Sequence, residues 1–236
     1  MGFDTLVGMR VRSGQELLRQ GEDSAMVFKV MEGRLGVYRE TAEGRVKLYD
    51  IEDGGIAGAT SVILKKNQIF TVLGEAIISV VKAYRSDDLE HAVAEDDSLF
   101  PLIVTAVLNE WRFLDRRLID QHIAAEPDAE SRSNVLGTIL ANLKEDIDQA
   151  LQRVDDPKFL RTALQDFLKE TFEIAERPTP GAVIENILWL KVNITKAAVL
   201  RTITSIVDPA ERRSAMTEIL TNLARATVEL SDQVLA

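Results

Sequence analysis

No cysteine occurs among the 236 residues, which removes disulfide frameworks, thiolate zinc sites and thiol nucleophiles together. Histidine is nearly absent too. His91 and His122 stand about thirty residues apart, and neither has a His or Cys partner at a metal-ligand spacing, so no metal site is expected. Basic residues are outnumbered, 28 Lys and Arg against 38 Asp and Glu, for a formal charge of −10. Such a surface repels phosphate backbones, and nucleic acid is not an expected partner. No stretch approaches the length of uninterrupted apolar sequence that spans a bilayer, and MGFDTLVGMR lacks a basic segment followed by an apolar run. The expectation is a soluble cytoplasmic protein with no membrane partner. Met1-Gly2 would open a myristoylation signal, but Leu6 stands where that signal requires Ser or Thr.

Catalytic signatures are missing as well. There is no Walker or Rossmann glycine loop and no nucleophile elbow. The acidic clusters Asp87-Asp88, Glu95-Asp96-Asp97 and Asp155-Asp156 could be read as paired catalytic carboxylates. Their positions at the starts of helical patterns suit capping or solvated faces better. The chain is expected not to be an enzyme.

What is present divides the chain into unlike halves. Hydrophobic residues make up 46%, enough for a core without a cofactor or staple. Eleven of the 13 glycines lie at or before Gly74, and all 6 prolines lie at or after Pro101. Between residues 10 and 83, β-favouring runs at Val27 to Met31, Leu35 to Arg39, Val46 to Ile51 and Ile77 to Val81 alternate with glycine-bearing turns. That pattern predicts an all-β barrel or roll. From about Asp87 the period becomes helical. Phe100, Ile103, Val107, Trp111, Leu114 and Leu118 form an apolar seam at steps of three or four on a long helix from about Asp97 to Ile123. The seam could pair two subunits or dock on the chain's own roll, and Trp111 belongs to a core or dimer interface on either reading.

Two further stripes follow, Leu136, Leu140, Leu143, Ile147 and Leu151, then Leu160, Leu164, Leu168 and Phe172. Asp156-Pro157, Thr179-Pro180 and Asp208-Pro209 place a capping oxygen before a proline at the first helical position, and Glu211 stands three residues after Asp208. Helices are therefore predicted near 131–154, 158–176, 180–207 and 209–235. The third, with Val183, Ile184, Ile187, Leu188, Leu190, Val192, Ile194, Val199, Leu200, Ile203, Ile206 and Val207, reads as the central helix of a bundle, with Trp189 in its core. Ala124 to Ser133, holding Pro127, reads as a linker.

The stretch Gly14-Gln15-Glu16-Leu17-Leu18-Arg19-Gln20-Gly21 through Met31-Glu32-Gly33-Arg34-Leu35-Gly36-Val37-Tyr38 resembles the opening of the cyclic nucleotide-binding family, in which glycines recur at these intervals before a Gly-x-Val-x-Val-Tyr strand. Asp53-Gly54-Gly55-Ile56-Ala57-Gly58 is similar to the Pro-Gly-Asp-Phe-Phe-Gly that leads into the family's phosphate-binding cassette. The resemblance covers about ninety residues, roughly Thr5 to Val93. It implies a β-roll with a cassette that combines a short helix, a carboxylate for the ribose hydroxyl and an Arg for the cyclic phosphate.

Here the cassette departs from the family. Ala59 stands where the family has Glu after the glycine matched by Gly58, and the family's Arg falls near Gln68, flanked by the uncharged Asn67 and Ile69. Each hydrogen bond to a charged group contributes roughly 1.5–3 kcal/mol, so losing both weakens nucleotide affinity about a hundredfold to ten-thousandfold. Lys65 or Lys66 could supply the charge, and Thr60 or Ser61 could offer hydroxyls. Alternatively both lysines are simply solvated at the tip of a hairpin. In transcription factors of the catabolite activator type a helix-turn-helix follows the roll. From Glu130 onward this chain has 13 basic and 16 acidic residues, its predicted helices are long, and the pair Arg212-Arg213 sits in a first turn beside Glu211, so DNA reading is not expected.

The predicted fold is α+β: a cyclic nucleotide-binding-like β-roll (jelly roll) over residues 1–96, a long connecting or dimerisation helix over 97–125, and an all-α bundle over 130–236. The candidate ligand residues are Gly58, Ala59, Thr60, Ser61, Lys65, Lys66 and Gln68. The expected function is a signalling or assembly protein whose degenerate roll presents the bundle to a protein partner, with a homodimer as the expected assembly and no cofactor. The alternative is a small-ligand sensor in which a cyclic nucleotide or another small anion shifts the long helix, and a third reading is a transcription regulator with a divergent C-terminal module.

Overall fold

The computed structural model describes residues 8–23, 25–87, 100–152 and 180–236. Those residues belong to two compact units, Met1–Leu114 with Val207–Ala236, and Asp115–Ile206. The division falls inside the long helix and before the last one, not at the breaks near 97 and 130 suggested by the sequence.

In the first unit eight strands form two four-stranded antiparallel sheets. They are β1 (Met9–Arg12), β2 (Glu16–Leu18), β3 (Met26–Glu32), β4 (Leu35–Thr41), β5 (Gly44–Ile51), β6 (Ile56–Ala57), β7 (Thr71–Gly74) and β8 (Ile78–Arg85). One sheet has the order β1-β8-β3-β6 and the other β2-β7-β4-β5. The pairs 1–8, 2–7, 3–6 and 4–5 are those of one long hairpin wound on itself, the jelly roll. On β8 period-two alternation turns Ser79, Val81 and Ala83 inward while the residues between them face out; β3, β4 and β5 each bury consecutive residues as well. Val11, Val27, Val30, Leu35, Val37, Val72 and Val81 fill the space between the sheets. The four runs read from the sequence fall on β3, β4, β5 and β8. The short β1, β2 and β6 carry too few residues to show a period.

Helix α1 (Ala59–Ile63) follows β6, and α2 (Phe100–Ala125), α3 (Ala129–Gln152), α4 (Pro180–Ser205) and α5 (Pro209–Leu235) make up the rest. The predicted linker shrinks to a tight connection between α2 and α3. There the Asp128 carboxylate accepts hydrogen bonds from the Ser131 backbone N–H at 2.8 Å and from its hydroxyl, and these bonds hold it below the usual carboxylate range. Asp208 caps α5 as the sequence indicates, accepting from the Ala210 and Glu211 N–H groups at 2.9 and 2.7 Å, with Pro209 in the first helical turn.

α5 does not join a C-terminal bundle. Its buried face, Met216, Leu220, Ala224, Thr227, Ser231 and Val234, lies in the first unit, where α5 packs on α1. Asp232 on α5 pairs with Arg39 of β4 at 2.9 Å.

In the second unit α3 packs on α4, whose Ile184, Ile187, Leu188, Val192, Ile194 and Ile203 are buried. Trp189, expected in that core, is 49% exposed, because it lies on the turn of α4 opposite Ile187 and Ile194. Val207, expected within the helix, follows its end and is 88% exposed. The predicted helix 158–176 with its stripe from Leu160 to Phe172, the start at Asp156-Pro157, and His91 with the cluster Glu95-Asp96-Asp97 lie outside the described residues.

Candidate functional site

Gly58 ends β6 with φ 87°. A side chain there is strained, because L residues rarely adopt that backbone, and crowded, because a Cβ would lie 3.0 Å from Leu18 Cδ1 and 3.1 Å from the Met26 carbonyl. The chain then turns into α1, where Ala59, Thr60, Ser61 and Val62 are all buried. Ser61 is committed locally, its hydroxyl accepting from the Ile69 N–H at 3.0 Å. Gln68, where a phosphate-binding Arg is expected, is 3% exposed. Its backbone is tied to the β2 turn, with the Gly21 N–H donating to its carbonyl at 2.8 Å and its own N–H donating to the Glu22 carbonyl at 2.7 Å.

Gly58, Thr60, Ser61 and Gln68 thus line one cavity with Val37, Tyr49, Ile51, Ala57, Phe70 and Val72. Ala59 is buried beside it without lining it. Lys65 and Lys66 are exposed beyond α1 and do not line the cavity.

One residue that sequence reasoning missed completes the lining: Glu110 of α2. It is 4% exposed. Thr60 Oγ1 donates to Glu110 Oε2 at 2.5 Å, and the Tyr49 hydroxyl bonds to the same carboxyl group. A signal for it existed. Glu110 lies three residues after Val107 and four before Leu114, so it fits the apolar seam as well as Trp111 does. The helix turns Glu110 inward and leaves Trp111 half-buried.

Burial pushes the Glu110 carboxyl up to about 7, against the bonds from Thr60 and Tyr49, which favour the charged form. Burial likewise raises the Tyr49 hydroxyl well above its ordinary value, with the neighbouring Glu110 charge acting in the same direction. The Tyr49 ring is fixed by stacking on Phe113 of α2, centroids 5.6 Å apart and planes at 8°.

With Glu110 in place the cavity measures about 10 Å³, space for about one water molecule and no nucleotide. What the arrangement can do chemically is hold a proton on a buried carboxyl group. Among the described residues no three His, Cys, Asp or Glu side chains gather to hold a metal, and no helix is long and apolar enough to cross a membrane.

The expected dimer seam is largely spent within one chain. Phe100, Ile103, Val107 and Leu114 are each at most 1% exposed. Trp111 and Leu118 are half-buried and retain some surface.

No family model and no curated protein matches this chain. Solved structures do. The regulatory subunit of a cAMP-independent protein kinase A from Trypanosoma brucei is similar at 15% identity over 36% of this chain and 31% of its own, with a TM-score of 0.34. The regulatory domain of Toxoplasma gondii PKA with cAMP is similar at 16% identity over 36% of this chain and 33% of its own, with a TM-score of 0.34. A cAMP-binding acyltransferase from Mycobacterium smegmatis is similar at 22% identity over 45% of this chain and 33% of its own, with a TM-score of 0.40. This chain thus spans about a third of the length of each of these proteins.

Proposed function

We propose that this chain is a non-catalytic regulatory or assembly protein whose roll has exchanged a bound nucleotide for its own side chain, and which offers its second helical unit to a protein partner. The observation that carries this reading is Glu110. Its carboxyl group lines the same cavity as the cassette residues and bonds to Thr60. An anion brought to the same place would meet the Glu110 carboxyl group and no cavity-lining Lys or Arg. Ala59 and Gln68 remove the ribose and phosphate partners as well. The exposed Trp189 on α4 supports the second unit as the face offered to a partner, since aromatic side chains are favoured anchors at protein interfaces. A second copy of this chain is one candidate for that partner.

The ligand-sensing alternative requires Glu110 to leave before anything enters, so it predicts a binding signal that this reading forbids. Melting curves of the full chain with and without millimolar cyclic AMP, cyclic GMP and cyclic dinucleotides decide between them. A ligand that binds only the folded state raises its melting temperature once it exceeds its dissociation constant. No shift is expected, and stabilisation by several degrees overturns the proposal.

A further inference from the structure

Filling the pocket from within raises the question of which form of the carboxyl group the pocket accepts; the answer rests on the reading just given. The groups that surround Glu110 come from five places. β4 supplies Val37, β5 supplies Tyr49 and Ile51, β6 and its end supply Ala57 and Gly58, α1 supplies Thr60 and Ser61, and the segment into β7 supplies Gln68, Phe70 and Val72. Apart from Glu110 the only titratable group in that lining is Tyr49, which burial keeps protonated. None is a cation.

Two cationic side chains on the packed elements lie against aromatic rings. Arg39 of β4 lies over the Phe70 ring, 5.8 Å from its centroid, donates to the Ile69 carbonyl, and pairs with Asp232 of α5. Arg112, on α2 itself, lies 4.6 Å from the centroid of the Phe113 ring. The two direct partners of the carboxyl group are hydroxyls, which both donate and accept. Both bonds favour the charged form, yet neither hydroxyl brings a positive charge, so only the protonated carboxyl group avoids taking a net charge out of water.

We propose that the former nucleotide cassette is a site for a neutral carboxylic acid, filled in cis by Glu110, and that loss of that proton loosens the first half of α2 from the roll. The chemical class of ligand is thus a small protonated carboxylic acid, and the resident one is the chain's own.

The sign follows from the two states. The folded chain keeps the proton up to about pH 7, whereas an exposed Glu gives it up near 4.5. Between those values the folded state binds the extra proton. The stability contributed is therefore greatest at acid pH and falls as pH rises through the window, by up to about tenfold in the equilibrium constant per pH unit. Above about pH 7 the fall stops.

The test uses the full chain without nucleotide. Amide hydrogen exchange over residues 100–114 and the urea midpoint are followed from about pH 5 to about pH 8 in the wild type and in Glu110→Gln, whose amide fits the same space and cannot ionise. The wild-type opening equilibrium should rise about a hundredfold relative to that of the variant across the window. Parallel profiles overturn the proposal. In Glu110→Ala the vacated space should admit acetic acid, so acetate should stabilise that variant at acid pH more than at neutral pH and leave the wild type unchanged; no stabilisation counts against the site.

Should both variants fail to fold, infrared spectra of the carbon-13-glutamate-labelled wild type carry the decision. A buried protonated-carboxyl band that persists to near neutral pH supports the proposal, and its absence at about pH 6 overturns it. Failure here leaves the nucleotide-silent reading untouched, since that reading falls only to stabilisation by nucleotide.

Discussion

Two carboxyl groups five residues apart on α2, Glu110 and Asp115, meet shortage of water in different ways. Glu110 is almost fully buried in the roll's unit, its partners are the hydroxyls of Thr60 and Tyr49, and burial raises its proton affinity. Asp115 belongs to the other unit, and its side chain is 18% exposed with Lys191 of α4 at 3.8 Å. Beyond it, Arg116 and the more exposed Asp120 pair at 2.9 Å. Where a cation is supplied, a charge can be kept at partial burial. Where only hydroxyls are supplied and burial is nearly complete, keeping the proton is the cheaper solution. A single helix therefore carries, five residues apart near its middle, a buried seat for a protonated carboxyl group and a partly exposed ion pair.

The largest expected effect separates the two sides of that division by packing. Ile103 is 1% exposed, and Ile103→Ala should cost about 2–5 kcal/mol through lost burial and the cavity left behind. Leu118, on the same seam but half-buried, should cost less than half as much when truncated to Ala, since less apolar area leaves water there. Urea midpoints of the two variants measure the difference. Equal costs would mean that the seam is one continuous buried strip and that the division within α2 is drawn in the wrong place.

A smaller effect sharpens the account of the seat. Tyr49→Phe keeps the ring on Phe113 and removes one hydroxyl from Glu110, a loss of about 1 kcal/mol. That hydroxyl favours the charged carboxylate, so its removal raises the proton affinity of Glu110 further. The pH at which stability falls should move upward in this variant. A downward move would show that Tyr49 accepts from the carboxyl group more than it donates to it.

The roll was legible because its turns need glycine and its longer strands are apolar, β-favouring runs: Gly58 sits at φ 87°, a backbone that side chains rarely adopt, and β8 alternates inward and outward residues. The changes at Ala59 and Gln68 were equally plain. What fills the space they leave was not, because a period of three to four identifies the buried stripe of a helix without choosing between adjacent members of it. Glu110 and Trp111 both fit the seam, and hydropathy favours Trp111. Only the hydroxyls of Thr60 and Tyr49, brought in from α1 and β5, make Glu110 the better inward residue. α5 was misassigned for a related reason. Its buried stripe includes Ala224, Thr227 and Ser231, small side chains that suit close packing on α1 yet carry little hydropathy signal.

The smallest effect tests the other side of the comparison, the Asp115–Lys191 pair. At 3.8 Å with both side chains partly exposed, a double-mutant cycle through Asp115→Ala and Lys191→Ala should return a coupling of about 0.2–1 kcal/mol. Salt should erode it, because the interaction is between two charges within reach of solvent ions. The pH dependence assigned to Glu110 should withstand the same salt, since it comes from desolvation of a single group and not from attraction to a partner. A Glu110 effect that faded with salt in step with the Asp115–Lys191 coupling would point to a cation acting on Glu110 and would erase the contrast between the two carboxyl groups.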